Sequence, residues 1–270
     1  MRIIFTSDLH SNKLLYSELL DLINKSKADV LIIGGDLFDY SSNVEPQMKF
    51  AEEFLYEFFK KIHIPIYIVN GNCDRVKAIN YLKELEREGI INILALSGIS
   101  INNIKLIGYE YVPPTPFKIK DWERRDLASD SINFQIPCLL SNENDNLDLV
   151  SSDFLNKLPS IEDELNVLHE KKAIWVMHSP PYGGVLDKTN AGIYAGSKAI
   201  RSHIERVQPC LTLHGHIHEA PVVSKQWAEC IGNTISINPG SGEALHAVTC
   251  DIDEDGNIIS VLHNLYGKLK

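Results

Sequence analysis

Short continuous apolar runs alternate with amphipathic stretches along the first half of the chain. Arg2–Thr6, Val30–Ile33, Ile66–Val69 and Ala173–Met177 are dominated by β-branched, aliphatic and aromatic residues and read as buried strands. Between them, Leu15, Leu19, Leu22 and Ile23 fall on one helical face behind Ser11 or Asn12 as cap. Pro46 suits a first helical turn, with Phe50, Phe54 and Phe58 as the apolar stripe; that stripe fits a core better than an aromatic binding surface. Leu82 and Leu85 mark a further helix. Ile200, Ile204 and Val207 mark another, which starts at Gly196–Ser197 and is stopped by Pro209. Strand-like runs near Ile90–Leu96, Ile104–Tyr109, Cys210–Leu213, Thr234–Ile237, His246–Asp251 and Ile258–His263 complete a strand-rich second half. Helices alternating with strands, followed by mostly strands, predict an α/β sandwich of two sheets with helices outside.

Tyr111–Glu170 breaks this rhythm. It opens V-P-P-T-P-F, continues as a charged segment and passes the polar tract S-N-E-N-D-N. Its last part, Ser160–His169, reads as a capped helix. The chain is expected to be one domain, 1–270, with residues 111–170 as an insertion that serves as a lid, a partner surface or a surface excursion.

Composition narrows the function classes. The 270 residues are 44% apolar, enough for a sizeable core, and carry a formal net charge of −10. That balance argues against a non-specific polyanion binder, which needs a basic face. Five widely spaced cysteines without a C-x-x-C pair fit a reducing compartment better than a disulfide framework. Polar residues arrive by Thr6, too early for the apolar region of a signal peptide, and no apolar run approaches ~20 residues. The expectation is a cytoplasmic protein with no membrane partner.

The polar residues that end the strands carry the chemistry. Asp8 and His10, Asp36, Asn72, His178, and His216 with His218 each stand just beyond the C-terminal end of an expected strand, where open α/β sheets gather ligand sites. The stretch L-H-G-H-I-H-E puts three histidines within five residues, and a turn at Gly215 can aim two imidazoles into one site. Imidazole and carboxylate together suit Mn, Fe or Zn. Other patterns fail: Asp251–Gly256 opens like a calcium loop but has Leu262 where the twelfth position needs a Glu. Asp255-Gly256 reads instead as a hairpin turn. Ser179 lacks the elbow of a serine nucleophile.

In order, Asp8-Leu9-His10, Gly35-Asp36, Gly71-Asn72-Cys73-Asp74, His178 and Gly215-His216-Ile217-His218 resemble the motifs of the calcineurin-like metallophosphoesterase superfamily. The resemblance implies a four-layer αββα sandwich of two mixed sheets and a site for two divalent metal ions. It implies that Asp8, His10, Asp36 and His218 hold one metal, and that Asp36, Asn72, His178 and His216 hold the other, with Asp36 bridging. A hydroxide bridging the metals would then attack phosphorus in line. The expected function is a phosphodiesterase-like hydrolase acting on a small phosphoester, diester or monoester. The rivals are a nuclease of the same family and a non-catalytic scaffold on this fold.

One position departs from the usual pattern: the third residue of G-N-H-[DE] is Cys73, as in the G-N-C-D branches of the family. A thiol is a weak hydrogen-bond donor, so a general acid is missing. His214 is the leading substitute and is counted with Asp36 and Asn72 among the catalytic residues; the alternative for His214 is an orienting or strand-end hydrogen bond. Asp39 and Asp74 are candidates to orient ligand histidines. His63, His169, His203, His246 and His263 are expected to be surface or satisfied core residues, and Asn238-Pro239-Gly240-Ser241 a structural turn. Oligomeric state is left open, a homodimer included.

Overall fold

The computed structural model describes residues 1–134, 136–144 and 146–269. The first sheet has seven strands: β1 (Arg2–Thr6), β2 (Val30–Ile33), β3 (Ile66–Ile68), β4 (Asn92–Ile93), β13 (Ala247–Ile252), β14 (Ile258–His263) and β15 (Gly267–Lys268). The second has six: β5 (Ile99–Ile101), β6 (Ile104–Tyr109), β9 (Ala173–Met177), β10 (Leu211–Leu213), β11 (Ala228–Ile231) and β12 (Thr234–Ile237). In the first, β1 to β4 run parallel and β13 is antiparallel to β1. In the second, β6, β9, β10 and β12 run parallel, with β5 and β11 antiparallel at the edges. Both sheets are therefore mixed.

Alternation along each strand builds three apolar layers, because successive side chains leave opposite faces. Ile3, Phe5, Val30, Ile32 and Tyr67 face Ile174, Val176, Leu211 and Leu213 across the space between the sheets. Ile4, Leu31, Ile33 and Ile66 pack outward beneath helices α1 (Lys13–Ser26), α2 (Glu45–Phe50), α3 (Tyr56–Lys60) and α4 (Val76–Arg87). On the other side, Ile107, Tyr109, Trp175 and Met177 pack against α6 (Ile161–Asn166) and α7 (Lys198–Val207). This is the four-layer αββα sandwich. The β1–β3 strands end in register at Thr6, Ile33 and Ile68, which delivers the polar residues that follow them to one edge.

Several local expectations hold in atomic detail. Asn12 caps α1 by accepting from the Leu14 N–H at 3.1 Å, and Ser197 caps α7 through Ile200. Ser160 and Asp163 form a reciprocal capping box at α6. The Pro46 helix is interrupted by a π-helical stretch, Ala51–Leu55, yet Phe50 and Phe58 still reach the core. The interval 90–96 yields only the two-residue β4. The insertion holds a hairpin, β7 (Cys138–Ser141) with β8 (Leu147–Val150), and the single-turn α5 (Phe154–Lys157). None of these has a clear apolar period, and neither have β11 or α8 (Ala220–Ser224). Among the described residues no helix is long and apolar enough to cross a membrane.

Candidate metal centre

The parallel pairing of β1 and β2 continues beyond both strands. Asp8 N–H donates to Gly35 O at 2.9 Å, His10 N–H to Asp36 O at 3.0 Å and Ser11 N–H to Leu37 O at 2.9 Å. These loop-to-loop bonds hold Asp8, His10 and Asp36 side by side. The loop after β10 joins them: the His216 N–H donates to both oxygens of Asp8 at 3.1 Å. Asp8, His10, Asp36 and His216 all have positive φ, at 58°, 43°, 50° and 68°, a conformation that non-glycine residues adopt only when their surroundings impose it. The glycines of the motifs are needed for close approach. A Cβ at Gly71 would collide with the Asp36 carboxylate, and one at Gly215 with Ser7 and Asp8.

Asp8, His10, Asp36 and His218 each place a ligand atom within 4.8 Å of the others. His10 Nε2 lies 3.0 Å from His218 Nε2, and His218 Nε2 lies 3.2 Å from Asp8 Oδ1. On the other side of Asp36, His178 Nε2 is 3.5 Å from Asp36 Oδ1 and 3.2 Å from Asn72 Oδ1. The His178 and His216 ring centroids are 5.2 Å apart. Asp36 faces both groups, since its Oδ2 is 3.9 Å from His10 Nε2 while its Oδ1 is directed at His178.

Tautomers decide what such an arrangement wants. His178 Nδ1 is 2.8 Å from Gly34 O, and His10 Nδ1 is 3.2 Å from Phe38 O. A carbonyl cannot donate, so each Nδ1 carries a proton and each ring turns its Nε2 toward the site. These Nε2 edges meet the oxygens of Asp36 and Asn72, and His218 meets Asp8. Two buried carboxylates facing imidazole rings form a set that a cation stabilises. The mixed imidazole, carboxylate and amide set suits Mn, Fe or Zn. The residues present therefore fit a divalent metal.

The electrostatics agree. Burial works to raise the Asp36 pKa, but His178 and His10 together with the Cys73 N–H outweigh it and hold the carboxyl ionised. Asp8 is likewise lowered: burial opposes ionisation, and His218 overcomes it. His216 is pushed down to about 4 by burial and then by His178, which keeps its ring neutral. His178 goes the other way: burial opposes its charged form, but Asp36 draws a proton onto it and raises it to about 9. Two anionic oxygens thus take up positive charge from whatever source is at hand.

His214 does not join this cluster. Its ring is fully buried, with Nδ1 3.0 and 2.9 Å from the carbonyls of Met177 and Ser179 and Nε2 2.9 Å from Thr212 Oγ1. Both ring nitrogens are committed to protein groups, so the ring ties β10 to the segment after β9, and the expectation that it donates a proton to substrate is corrected. Cys73 sits beside the site, 6% exposed; burial and then Asp36 push its thiol well up. Asp74 receives the N–H groups of Phe38 and Gly71 at 3.0 and 2.8 Å, so it binds loops together. The orienting partners of His10 and His178 are backbone carbonyls, not Asp39 or Asp74.

Three contributors had no recognisable signal in the sequence. Gln47, buried on α2, donates to Asp39 O and Cys73 O and accepts from Arg75 N–H. Arg75 donates to Ser42 O at 3.0 Å and to Ser141 Oγ at 3.2 Å. Trp122 Nε1 donates to Asp74 O at 2.5 Å. Through Arg75 and Trp122 the insertion is bonded to the loops that carry Asp36 and Asn72. The Asn238–Ser241 turn was visible only as a turn, yet it bonds to the ligand loops.

With fold and site in place, comparison with known proteins fixes the class. The model of the calcineurin-like phosphoesterase family matches residues 1–220, and the chain belongs to that family. An uncharacterized protein of Methanocaldococcus jannaschii is 28% identical over 248 residues, covering 88% of each chain. A DNA double-strand break repair protein Mre11 from Archaeoglobus fulgidus is 38% identical over 73 residues, 27% of this chain and 16% of its own. A crystal structure of a Thermus thermophilus protein shares the fold at a TM-score of 0.53 and 16% identity, over 97% of this chain and 93% of that one.

Proposed function

We propose that the protein is a dinuclear metal-dependent hydrolase of phosphodiesters, with phosphomonoesters as the alternative substrates. The observation that carries this reading is the convergence of the His10, His178 and His218 Nε2 atoms on the oxygens of Asp8, Asp36 and Asn72. In it, Asp8, His10, Asp36 and His218 would hold one cation, and Asp36, Asn72, His178 and His216 would hold the second, with Asp36 common to both sets. When bound, the pair supplies Lewis acidity and a water made nucleophilic near neutral pH.

The chain's own groups set the geometry around that chemistry. The Cys73 N–H holds Asp36 Oδ1 at 2.8 Å, and the carbonyls of Gly34 and Phe38 fix the His178 and His10 rings. In hydrolysis water oxygen bonds to phosphorus, the P–O ester bond breaks and the leaving oxygen takes up a proton. His214 is committed elsewhere, and the Cys73 thiol is a weak donor. The site therefore favours esters whose leaving group departs without protonation. Ser141 and Trp122 of the insertion, bonded to Arg75 and to Asp74 O, form a wall beside the Asn72 loop.

The test is hydrolysis of bis-p-nitrophenyl phosphate beside the monoester with Mn added. Diester turnover is expected, with Asp36→Asn lowering it at least ~10²-fold, of the order lost with a main transition-state contact. Cys73→Ser should lose far less. Absence of turnover with Mn, Fe or Zn, and no retained metal, would move the protein to the scaffold reading. The partial similarity to Mre11 supports a nuclease as the second reading, and the net charge of −10 weighs against it. Single-stranded DNA as a third substrate separates the two.

A further inference from the structure

The turn Asn238–Ser241, which follows β12, is bonded to the backbone at three of the residues assigned to metal. Asn238 is fully buried. Its Oδ1 accepts the Gly240 N–H at 2.9 Å, which fixes the orientation of the carboxamide. The Nδ2 group then donates to Ile217 O at 3.0 Å, Gly215 O at 3.2 Å and Leu186 O at 2.9 Å. The Gly215 and Ile217 carbonyls belong to the peptide groups that lead into His216 and His218. Ser241 adds two bonds: its N–H donates to His218 O at 3.2 Å and its hydroxyl to Asp8 O at 2.7 Å. Asp8 and His216 are also two of the positive-φ residues of the site, and such conformations persist only where the surroundings impose them.

We infer that Asn238 and Ser241 are positioning residues for the metal centre. They hold Asp8 and His216 in their positive-φ conformations, and His218 in its place, by gripping peptide groups, not by touching the metals. The inference rests on the dinuclear reading above. It predicts that the turn sets metal affinity, where a turn that only closes the chain would affect folding alone. Partners that orient ligands in this way typically account for ~10–100-fold in affinity.

Calorimetric titration of the metal-stripped protein with Mn(II) tests this, beside melting of the same metal-free samples. The wild type is expected to take up two equivalents. Asn238→Asp, which keeps the shape and loses the donors, should bind ~10–100-fold more weakly. Ser241→Ala should weaken binding in the same direction with its metal-free melting point nearly unchanged, and Ser241→Thr, which restores the hydroxyl, should recover affinity. If Asn238→Asp does not fold, the Ser241 pair decides alone. A folded variant that binds Mn(II) with wild-type affinity and stoichiometry overturns the inference, as does an affinity loss matched by collapse of the metal-free fold. A wild type that takes up no Mn(II) overturns the dinuclear reading itself, and the positioning role with it.

Discussion

His214 separates two roles that adjacent histidines in L-H-G-H-I-H divide between them. His216 and His218 follow the strand end and turn into the site, whereas His214 immediately follows β10 and points its ring among the carbonyls of Met177 and Ser179. Removing that ring leaves buried acceptors without donors, at a cost of about 1–3 kcal/mol. His214→Ala should therefore lower the melting temperature of the metal-free protein while the pH–rate profile on the diester keeps its shape. A profile that lost its basic limb in the variant would restore the proton-donor role.

At the scale of elements, the insertion is held from within by a buried ion pair. Lys120 and Glu123 are both fully buried, with Nζ 2.9 Å from Oε2, and Thr115 donates to the Glu123 carboxylate from its N–H at 3.0 Å. Burial pushes Glu123 up, and Lys120 with Thr115 pulls it back. Breaking such a pair on one side strands the other charge, at about 3–5 kcal/mol, whereas replacing both partners by apolar groups is close to neutral. Lys120→Met should lower the urea midpoint sharply, and Lys120→Met with Glu123→Leu should recover most of it. Equal losses in the single and double variants would show that packing, not charge, holds the segment. Because Trp122 lies between these two residues and bonds to Asp74 O, the single variant should also loosen the Asn72 loop.

For the whole molecule, buried neutral histidines set the acid limit. Burial pushes His203 and His263 down to about 4, and both are 1% exposed. Their folded pKa values lie below the ordinary 6.5, so between these limits the unfolded chain binds more protons than the folded one. Stability then rises with pH across that window and is lost as pH falls from about 6.5 toward 4, by up to roughly 3 kcal/mol for each group. In EDTA, to remove metal effects, the melting temperature should fall steeply over this range, and His203→Gln should flatten the slope. A slope unchanged in that variant would assign the acid limb to other groups.

Much of this protein is legible in one dimension. The strands β1, β2 and β9 are four- or five-residue runs, almost wholly apolar, because both faces are buried, and ligands stand after those runs because strand ends are where a polar group can leave the core. Continuous apolarity in V-L-I-I and A-I-W-V-M already requires cover on both sides, which means two packed sheets with helices outside. The order of Asp8, Asp36, Asn72, His178 and the G-H-I-H segment follows from the same rule. Tertiary structure alone decided which histidine turns into the site, since His214 and His216 are the same residue type two positions apart, yet carbonyls take up the His214 ring while His216 stands at positive φ with its N–H on Asp8. It also decided that backbone carbonyls, not carboxylates, orient His10 and His178, that Arg75 and Trp122 fasten the insertion, and that Asn238 and Ser241 grip the ligand loops. These contacts join residues up to 233 positions apart through peptide groups that every residue shares, so no side-chain pattern announces them.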